Sequence, residues 1–237
     1  MIASVINGVT IFVMGILGSL IKQRLNLKYK TIVMHGIGLA VVFVGASGAI
    51  KNLTAPEANP VLFVVSLVVG GALGALIGIT NHLNVFGEWV QKKFSKKFDG
   101  QGEGFAAGFI YATILFCVGT MAIIGSFDSG VKGDYTILLV KSVIDGISAL
   151  IIGASLGIGV AFSGVMVFLY EGLLTLLAGL VSPYISADMM REMSIVGGII
   201  ISAIGLDMLN IVKIKVADFL PAVFIPIIYY LALGFMK

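Results

Sequence analysis

The sequence predicts an all-α protein, a polytopic bundle that crosses a membrane about eight times. Hydrophobic residues make up 59% of the 237 residues and charged residues only 11%, against about 45–50% and about 25% in soluble domains. The mean hydropathy is +1.10. Soluble globules, nucleic-acid-binding proteins and disordered chains need far more polar surface than this, so those classes are excluded. We therefore expect one transmembrane domain over residues 1–237.

The chain carries few residues suited to catalysis or metal binding. A single cysteine, Cys117, excludes a disulfide within the chain and a cysteine metal cluster. The sequence has only two histidines and contains no P-loop, HExxH, CxxC or nucleophile-elbow motif. We therefore expect neither an enzyme nor a bound cofactor.

Eight apolar segments have the length of about 20 residues that a bilayer core requires. Spans five and six form one continuous apolar stretch, in which Gly157, Gly159 and Gly164 predict a tight hairpin. If that hairpin does not cross the membrane, the count is seven. The predicted spans are 3–21, 32–50, 61–80, 105–125, 137–158, 160–181, 193–211 and 217–236.

Basic residues predict the orientation of these spans. Loops one, three and seven carry most of them: Lys22, Arg24, Lys28, Lys30, Lys92, Lys93, Lys96, Lys97, Lys213 and Lys215. The opposite side carries Lys51, Lys132, Arg191 and Lys237. Because cytoplasmic loops are enriched in lysine and arginine, we expect both termini outside.

Segment 81–98 is predicted to be an amphipathic helix at the membrane surface. Phe86, Val90, Phe94 and Phe98 recur every four residues, and four lysines fill the other face. Such a helix suits an anionic cytoplasmic leaflet. It would serve either as an interfacial anchor or in lipid sensing.

A polar residue followed by Gly-x6-Gly occurs in three spans, at Asn7-Gly8…Gly15, Asp145-Gly146…Gly153 and Glu171-Gly172…Gly179. Spans two and seven share Gly38/Gly198 and Gly45/Gly205, and spans three and eight share Pro60/Pro221 with Phe63/Phe224. Spans one to three therefore align with spans six to eight. Because five spans separate the partners, the copies, about 1–80 and 164–237, are predicted to be inverted in the membrane, as in many secondary transporters. Alignment of span one with span five would instead give a parallel repeat.

Small residues at four-residue spacing predict close helix packing. Gly70, Gly74 and Gly78 line span three, and Ser194, Gly198 and Ser202 line span seven. These stripes would pack either within the chain or at a homodimer interface.

Polar residues inside the spans are the candidate site. Each charge at a helix centre costs about 2.5–3.5 kcal/mol on insertion scales. Asp145 and Glu171 lie near the centres of two adjacent spans, and Lys141 is one turn from Asp145. Asn7 occupies the matching motif position in span one. Nearby hydroxyls and a further carboxylate complete the set of candidates: Ser142, Ser148, Thr175 and Asp207.

Carboxylates grouped with hydroxyl and amide oxygens suit a proton or a sodium ion. The alternatives are structural: a satisfied Lys141–Asp145 pair, a hydrogen-bonded Glu171, and an Asp207 hydrated at the interface.

Two places are predicted to depart from straight helix. These are Pro226 inside span eight and residues 117–130, where glycine and serine free the backbone.

Five stretches carry a family resemblance: FCVGTMAIIGSFDSG (116–130), GDYTILLVKSVIDGI (133–147), FLYEGLLTLLA (168–178), MSIVGGIIISAIGLDML (193–209) and VADFLPAVF (216–224). On these motifs the chain resembles the bacterial YqgA/YdfK-like family of multi-spanning membrane proteins of unknown function, over nearly its whole length. The resemblance implies an inner membrane protein and supplies no substrate. Similar proteins often read Tyr-Gln-Gly where this chain has Tyr170-Glu171-Gly172, which favours Asp145 as the ionisable site residue.

These observations favour a small secondary transporter or ion-coupled permease. Asp145 and Glu171 would bind a proton or sodium ion, Asn7 and Ser142 would supply neutral ligands, and Lys141 would neutralise Asp145 or bind an anionic solute. The alternatives are an ion channel and a membrane-embedded scaffold or sensor. The expected partners are the lipid bilayer, a small solute or ion, and a second copy of the chain.

Overall fold

A computed structural model describes residues 1–24, 27–82, 84–85, 105–118, 120–181 and 184–235, which are almost entirely helical. A π-helical segment, Asp128–Lys132, extends α5, and a 3₁₀ segment, Val216–Phe224, precedes α9. The α-helices are α1 (Ile2–Arg24), α2 (Leu27–Leu53), α3 (Pro60–Ile77), α4 (Phe105–Cys117), α5 (Thr120–Phe127), α6 (Thr136–Leu156), α7 (Gly159–Val181), α8 (Ala187–Met208) and α9 (Ile225–Phe235).

The helices confirm the predicted all-α membrane architecture. In the described part of the chain, seven helical stretches are long and apolar enough to cross a membrane, or eight if α4 and α5 with its π segment form one bent span. Most of the predicted amphipathic helix over 81–98 lies outside the described residues. The stretches begin and end within about five residues of the predicted spans, with two exceptions. Span four ends seven residues later, at Lys132, and span seven begins six residues earlier, at Ala187.

The predicted break in span four is present. α4 ends at Cys117, and the helical stretch Met121–Lys132 runs at 56° to it. Gly125 allows this stretch to lie close to α6, since an added Cβ would be 2.9 Å from the Leu138 side chain. At Gly130 a Cβ would overlap the backbone oxygen of Thr175 on α7. The two glycines therefore hold the broken span against two helices at once.

The predicted hairpin between spans five and six is also present. Gly157 ends α6 with φ 92° and ψ −160°, a conformation that is essentially restricted to glycine. α7 begins two residues later at Gly159, where a Cβ would overlap the carbonyl oxygen of Phe105.

At the other end of α6, Asp134 accepts a hydrogen bond from the Thr136 backbone N–H at 2.9 Å. This bond lowers the pKa of the exposed Asp134 carboxyl below its usual value.

The last span differs from the prediction at Pro226. The helix type changes from 3₁₀ to α at Phe224–Ile225. Pro226 therefore lies in the first turn of α9, where its missing N–H removes no helical hydrogen bond. The 3₁₀ segment Val216–Phe224 instead contains Pro221. The span therefore departs from straight α-helix before Pro226, and not at it.

The described chain divides into two compact units. The first comprises Met1–Ile37, Asn81–Cys117 and Met121–Gly179, and the second comprises Gly38–Thr80, Val118–Thr120 and Leu180–Lys237. The first contains α1, the start of α2, α4, nearly all of α5 with its π segment, α6 and most of α7. The second contains most of α2, all of α3 and α8, the 3₁₀ segment and α9.

In the second unit, glycines bring helices into backbone contact. A Cβ on Gly70 would overlap Ala222, and one on Gly74 would overlap the Asp218 backbone. Gly78 ends α3 in the left-handed conformation with φ 73°. Ser202 of the second stripe donates to the Val42 carbonyl at 3.3 Å. Both predicted small-residue stripes thus pack within the chain, and they do not support the predicted homodimer interface.

Candidate functional site

Four of the predicted site residues meet in one buried cluster between α1, α6 and α7. Asn7 comes from α1, Lys141 and Asp145 from α6, and Glu171 from α7. Asn7 and Glu171 are 0% exposed, Lys141 4% and Asp145 6%. We call these four side chains the buried cluster.

Glycines on all three helices allow the close approach that forms the cluster. α1 packs along α6, and a Cβ on Gly146 would lie 2.6 Å from the Thr10 side chain. On the other side, a Cβ on Gly8 would lie 2.8 Å from the Gly164 carbonyl oxygen of α7. The motif glycines therefore explain the packing of α1 and α6, whereas on α7 the close approach is at Gly164, outside the motif.

Asn7 links the two carboxylates through its amide nitrogen. Nδ2 donates to Asp145 Oδ2 at 3.1 Å and to Glu171 Oε1 at 2.8 Å. Lys141 Nζ also donates to Asp145 Oδ2 and lies 3.3 Å from Glu171 Oε1. The predicted intrahelical Lys141–Asp145 pair is therefore present, and it is joined to the other two helices.

The cluster holds more negative than positive charge when its groups are ionised. Two carboxylates and one ammonium group leave one negative charge, and bulk water does not screen it. Among the described residues, Asn7 Oδ1 and Glu171 Oε2 have no hydrogen-bond partner. Cys117, near the end of α4, lies within Coulombic range of all three charged groups. Such an arrangement can bind a cation, because a cation supplies both the missing charge and a partner for the free oxygens.

The predicted hydroxyl residues lie beside the cluster or one turn away. Ser142 donates to the Leu138 carbonyl at 2.7 Å. Thr175 donates to the Glu171 carbonyl at 2.7 Å, and its oxygen lies 3.5 Å from Ser4 Oγ. Ser148 is half-buried on α6, beyond Asp145. The described groups therefore supply hydroxyl oxygens at the edge of the cluster.

Asp207 lies in the second unit, half-buried near the end of α8. The backbone N–H of Ile214 donates to its carboxylate, and Lys213 contributes a favourable charge. Asp207 therefore has partners within its own unit, and the buried cluster of the first unit is built from other residues.

The sequence reasoning missed two further buried carboxylates, Glu192 and Asp218. Glu192 is 0% exposed because α8 begins at Ala187, not at 193. Its Oε1 accepts the Asn59 backbone N–H at 2.8 Å, at the start of α3. Ser186 caps α8 by accepting the Met189 N–H at 3.2 Å. A serine before an apolar helix is a helix-start signal, and it would have placed Glu192 inside the span.

These features define a multi-pass membrane protein with a buried polar cluster in one of its units. The family model described as "Protein of unknown function (DUF554)" matches residues 2–231, and the chain belongs to that family. It is 34% identical to the "Uncharacterized membrane protein YdfK" of Bacillus subtilis, over 95% of this chain and 94% of that protein. It is 29% identical to the "Uncharacterized protein YqgA" of Escherichia coli, over 92% and 91% of the two chains. No solved structure matches.

Proposed function

We propose that this protein is a small secondary transporter or ion-coupled permease of a bacterial-type inner membrane. The observation that carries the proposal is the buried cluster, in which three membrane helices enclose two carboxylates and one ammonium group. Ionisable residues at membrane depth are costly and typically mark ion or substrate pathways. A surplus negative charge at 0–6% exposure requires a cation, either a proton or a sodium ion.

The charges suggest a division of roles. Lys141 and Asp145 form the closest ion pair, so Lys141 neutralises Asp145. Glu171 then carries the charge that the cation balances. In alternating access, the helices around the cluster would open it to one side of the membrane and then to the other. The proposal assigns no catalytic residue and no cofactor.

The predicted inverted repeat fits this mechanism, and glycine contacts in the second unit support it. The repeat pairs Gly38 with Gly198 and Gly45 with Gly205. In space, a Cβ on Gly45 would be 2.5 Å from the Gly198 oxygen, and one on Gly205 would be 2.6 Å from the Gly38 oxygen. Gly45 thus contacts Gly198, the repeat partner of Gly38, and Gly205 contacts Gly38, the repeat partner of Gly198. A two-fold axis that relates the two copies would produce these two equivalent contacts.

The repeat partners Asn7 and Glu171 of the first unit are also in direct contact, through a 2.8 Å hydrogen bond. The parallel alternative likewise has a contact in its favour, since Asn7 and Asp145 are its partners and lie 3.1 Å apart. We favour the inverted repeat because its partner contacts occur in both units.

The solute, the homodimer and the external termini remain predictions. Reporter fusions that are active on one side of the membrane, placed after Lys237, test the external C-terminus.

An ion channel with the same lining residues is the second candidate function, and a scaffold or sensor is the third. Saturable uptake driven by an ion gradient supports transport, an ohmic current supports a channel, and a copurifying partner without either activity supports the scaffold.

The first experiment is thermal unfolding of the purified protein in sodium, lithium and potassium salts over a range of pH. A ligand that binds only the folded state raises its stability, so we expect a proton- or sodium-dependent rise that Asp145→Asn abolishes. Glu192→Gln is the matched control, because it alters a buried carboxylate of the second unit. It should leave the ion dependence intact.

A positive result justifies screening solutes in proteoliposomes under an imposed proton or sodium gradient. If stability is independent of ions and Asp145→Asn is as stable as the wild type, the cluster is a structural network and the transport proposal is wrong.

A further inference from the structure

The two carboxylates of the buried cluster differ in their closeness to Lys141 and in how fully they are buried. Asp145 Oδ2 accepts hydrogen bonds from both Lys141 Nζ and Asn7 Nδ2. Glu171 is 0% exposed and makes a contact through Oε1 with each of the same two donors. Its second oxygen, Oε2, has no hydrogen-bond partner in the described part of the chain. The surplus negative charge is therefore assigned to Glu171.

The unpartnered oxygen of Asn7 lies on the side chain that already bonds Glu171. Asn7 Nδ2 donates to Glu171 Oε1 at 2.8 Å, while Asn7 Oδ1 and Glu171 Oε2 are both buried acceptors without a donor. Two acceptors cannot satisfy each other. A carboxylic acid has one O–H donor, so one proton on Glu171 would supply the donor that this pair lacks.

A sodium ion fits the same place poorly. Hard cations bind through several oxygen ligands, and the cluster offers two unpartnered side-chain oxygens. The Lys141 ammonium group lies 3.3 Å from Glu171 Oε1, so a sodium ion on this carboxylate would lie next to a fixed positive charge. A proton meets neither obstacle, because it forms a covalent O–H bond and needs one acceptor.

We propose that the cation of the buried cluster is a proton carried by Glu171, with Asn7 as its hydrogen-bond acceptor and Lys141–Asp145 as a permanent ion pair. The proposal rests on the transport function only in treating this proton as the coupling ion. Binding converts the Glu171 carboxylate to a carboxylic acid and changes the cluster charge from −1 to 0. Release returns the proton to water on whichever side the site is open.

The protonation state of Glu171 depends on the titratable groups around it. Lys141 and Asp145 lie on α6, Cys117 lies near the end of α4, and Tyr170 adjoins Glu171 on α7. Asn7, on α1, is not titratable. Because Lys141 is the one cation among these groups, its pairing decides whether Glu171 needs a proton.

Infrared spectroscopy of the protein in lipid nanodiscs tests the assignment directly. The wild type should show the C=O stretch of a protonated carboxyl at neutral pH, shifted in D₂O and lost at alkaline pH. Glu171→Gln should remove that band and still fold, because a glutamine donates to Asn7 Oδ1 as the acid would. Glu192→Gln, the matched control, should leave the Glu171 band in place.

Asp145→Asn gives the sharpest prediction. It leaves Lys141 with one carboxylate partner, so Glu171 should ionise and its protonated band should disappear although Glu171 is still present. No band in the wild type, a band that survives Glu171→Gln, or a band unchanged by Asp145→Asn would each overturn the assignment.

The infrared result is separable from the transport proposal. A sodium-dependent stabilisation that requires Asp145, without a Glu171 carboxyl band, would leave transport standing and overturn the proton assignment. A Glu171 band that responds to both variants, in a protein without ion-driven uptake, would support the proton site and refute transport.

Discussion

Replacement of Lys141 by methionine should strongly destabilise the folded protein. The substitution keeps a long apolar side chain and removes an ammonium group that contacts Asp145 and lies 3.3 Å from Glu171 Oε1. Removal of one partner from a buried pair typically costs about 3–5 kcal/mol. We expect a loss of that order, because the Asp145 carboxylate loses its cation and the cluster charge, with Glu171 protonated, falls from 0 to −1.

The loss should depend on charge. Lys141→Met/Asp145→Asn restores the cluster charge to 0, so the double variant should be more stable than Lys141→Met alone. The destabilisation should also shrink at acidic pH, where a bound proton replaces the lost positive charge. The assay is unfolding of the purified protein by titration with SDS in mixed micelles, followed by far-UV circular dichroism.

The matched control is Lys132→Met. Lys132 pairs with Asp128 at 2.6 Å with the same four-residue spacing, but its side chain is 69% exposed. Solvent-exposed pairs contribute little, so its loss should leave the unfolding free energy unchanged within error. If Lys141→Met is no more destabilising than Lys132→Met, or if the double variant is less stable than Lys141→Met, the charge reasoning is wrong.

Three further predictions concern packing and capping, and each is measured as a change in unfolding free energy. Gly45→Ala should destabilise by about 1–3 kcal/mol through overpacking, because its Cβ would lie 2.5 Å from the Gly198 oxygen, whereas Gly48→Ala on the same helix meets open space and should be neutral or stabilising. Gly157→Ala should cost about 1–3 kcal/mol, because φ is 92° at the hairpin; a neutral result would mean that the turn adopts another conformation. Glu192→Ala should cost about 1–3 kcal/mol by leaving the half-buried Asn59 N–H at the start of α3 unpaired, and Glu192→Gln should recover most of it. Equal losses in both Glu192 variants would refute the capping role.

Composition determined the architecture without reference to tertiary contacts. A chain with 59% hydrophobic residues and long apolar segments can satisfy its backbone in lipid as helices, so the spans followed from length and hydropathy alone. Glycine at 157 predicted the hairpin, since a turn that tight needs a conformation other residues avoid. The polar residue before each Gly-x6-Gly motif predicted that Asn7, Asp145 and Glu171 belong together.

Tertiary structure decided what a local pattern does not encode. Which oxygen of Glu171 lacks a donor depends on where Asn7 and Lys141 meet it, and the contact with Asn7 joins residues 164 positions apart. Whether a glycine stripe faces a helix of its own chain or a second copy depends on partners that sequence spacing does not name. Glu192 was missed because span seven was predicted to begin at 193, and only the structure shows that its carboxylate accepts the Asn59 N–H at the start of another helix. The sequence fixes which groups are costly in a membrane, and their surroundings determine which of them remains unpaired.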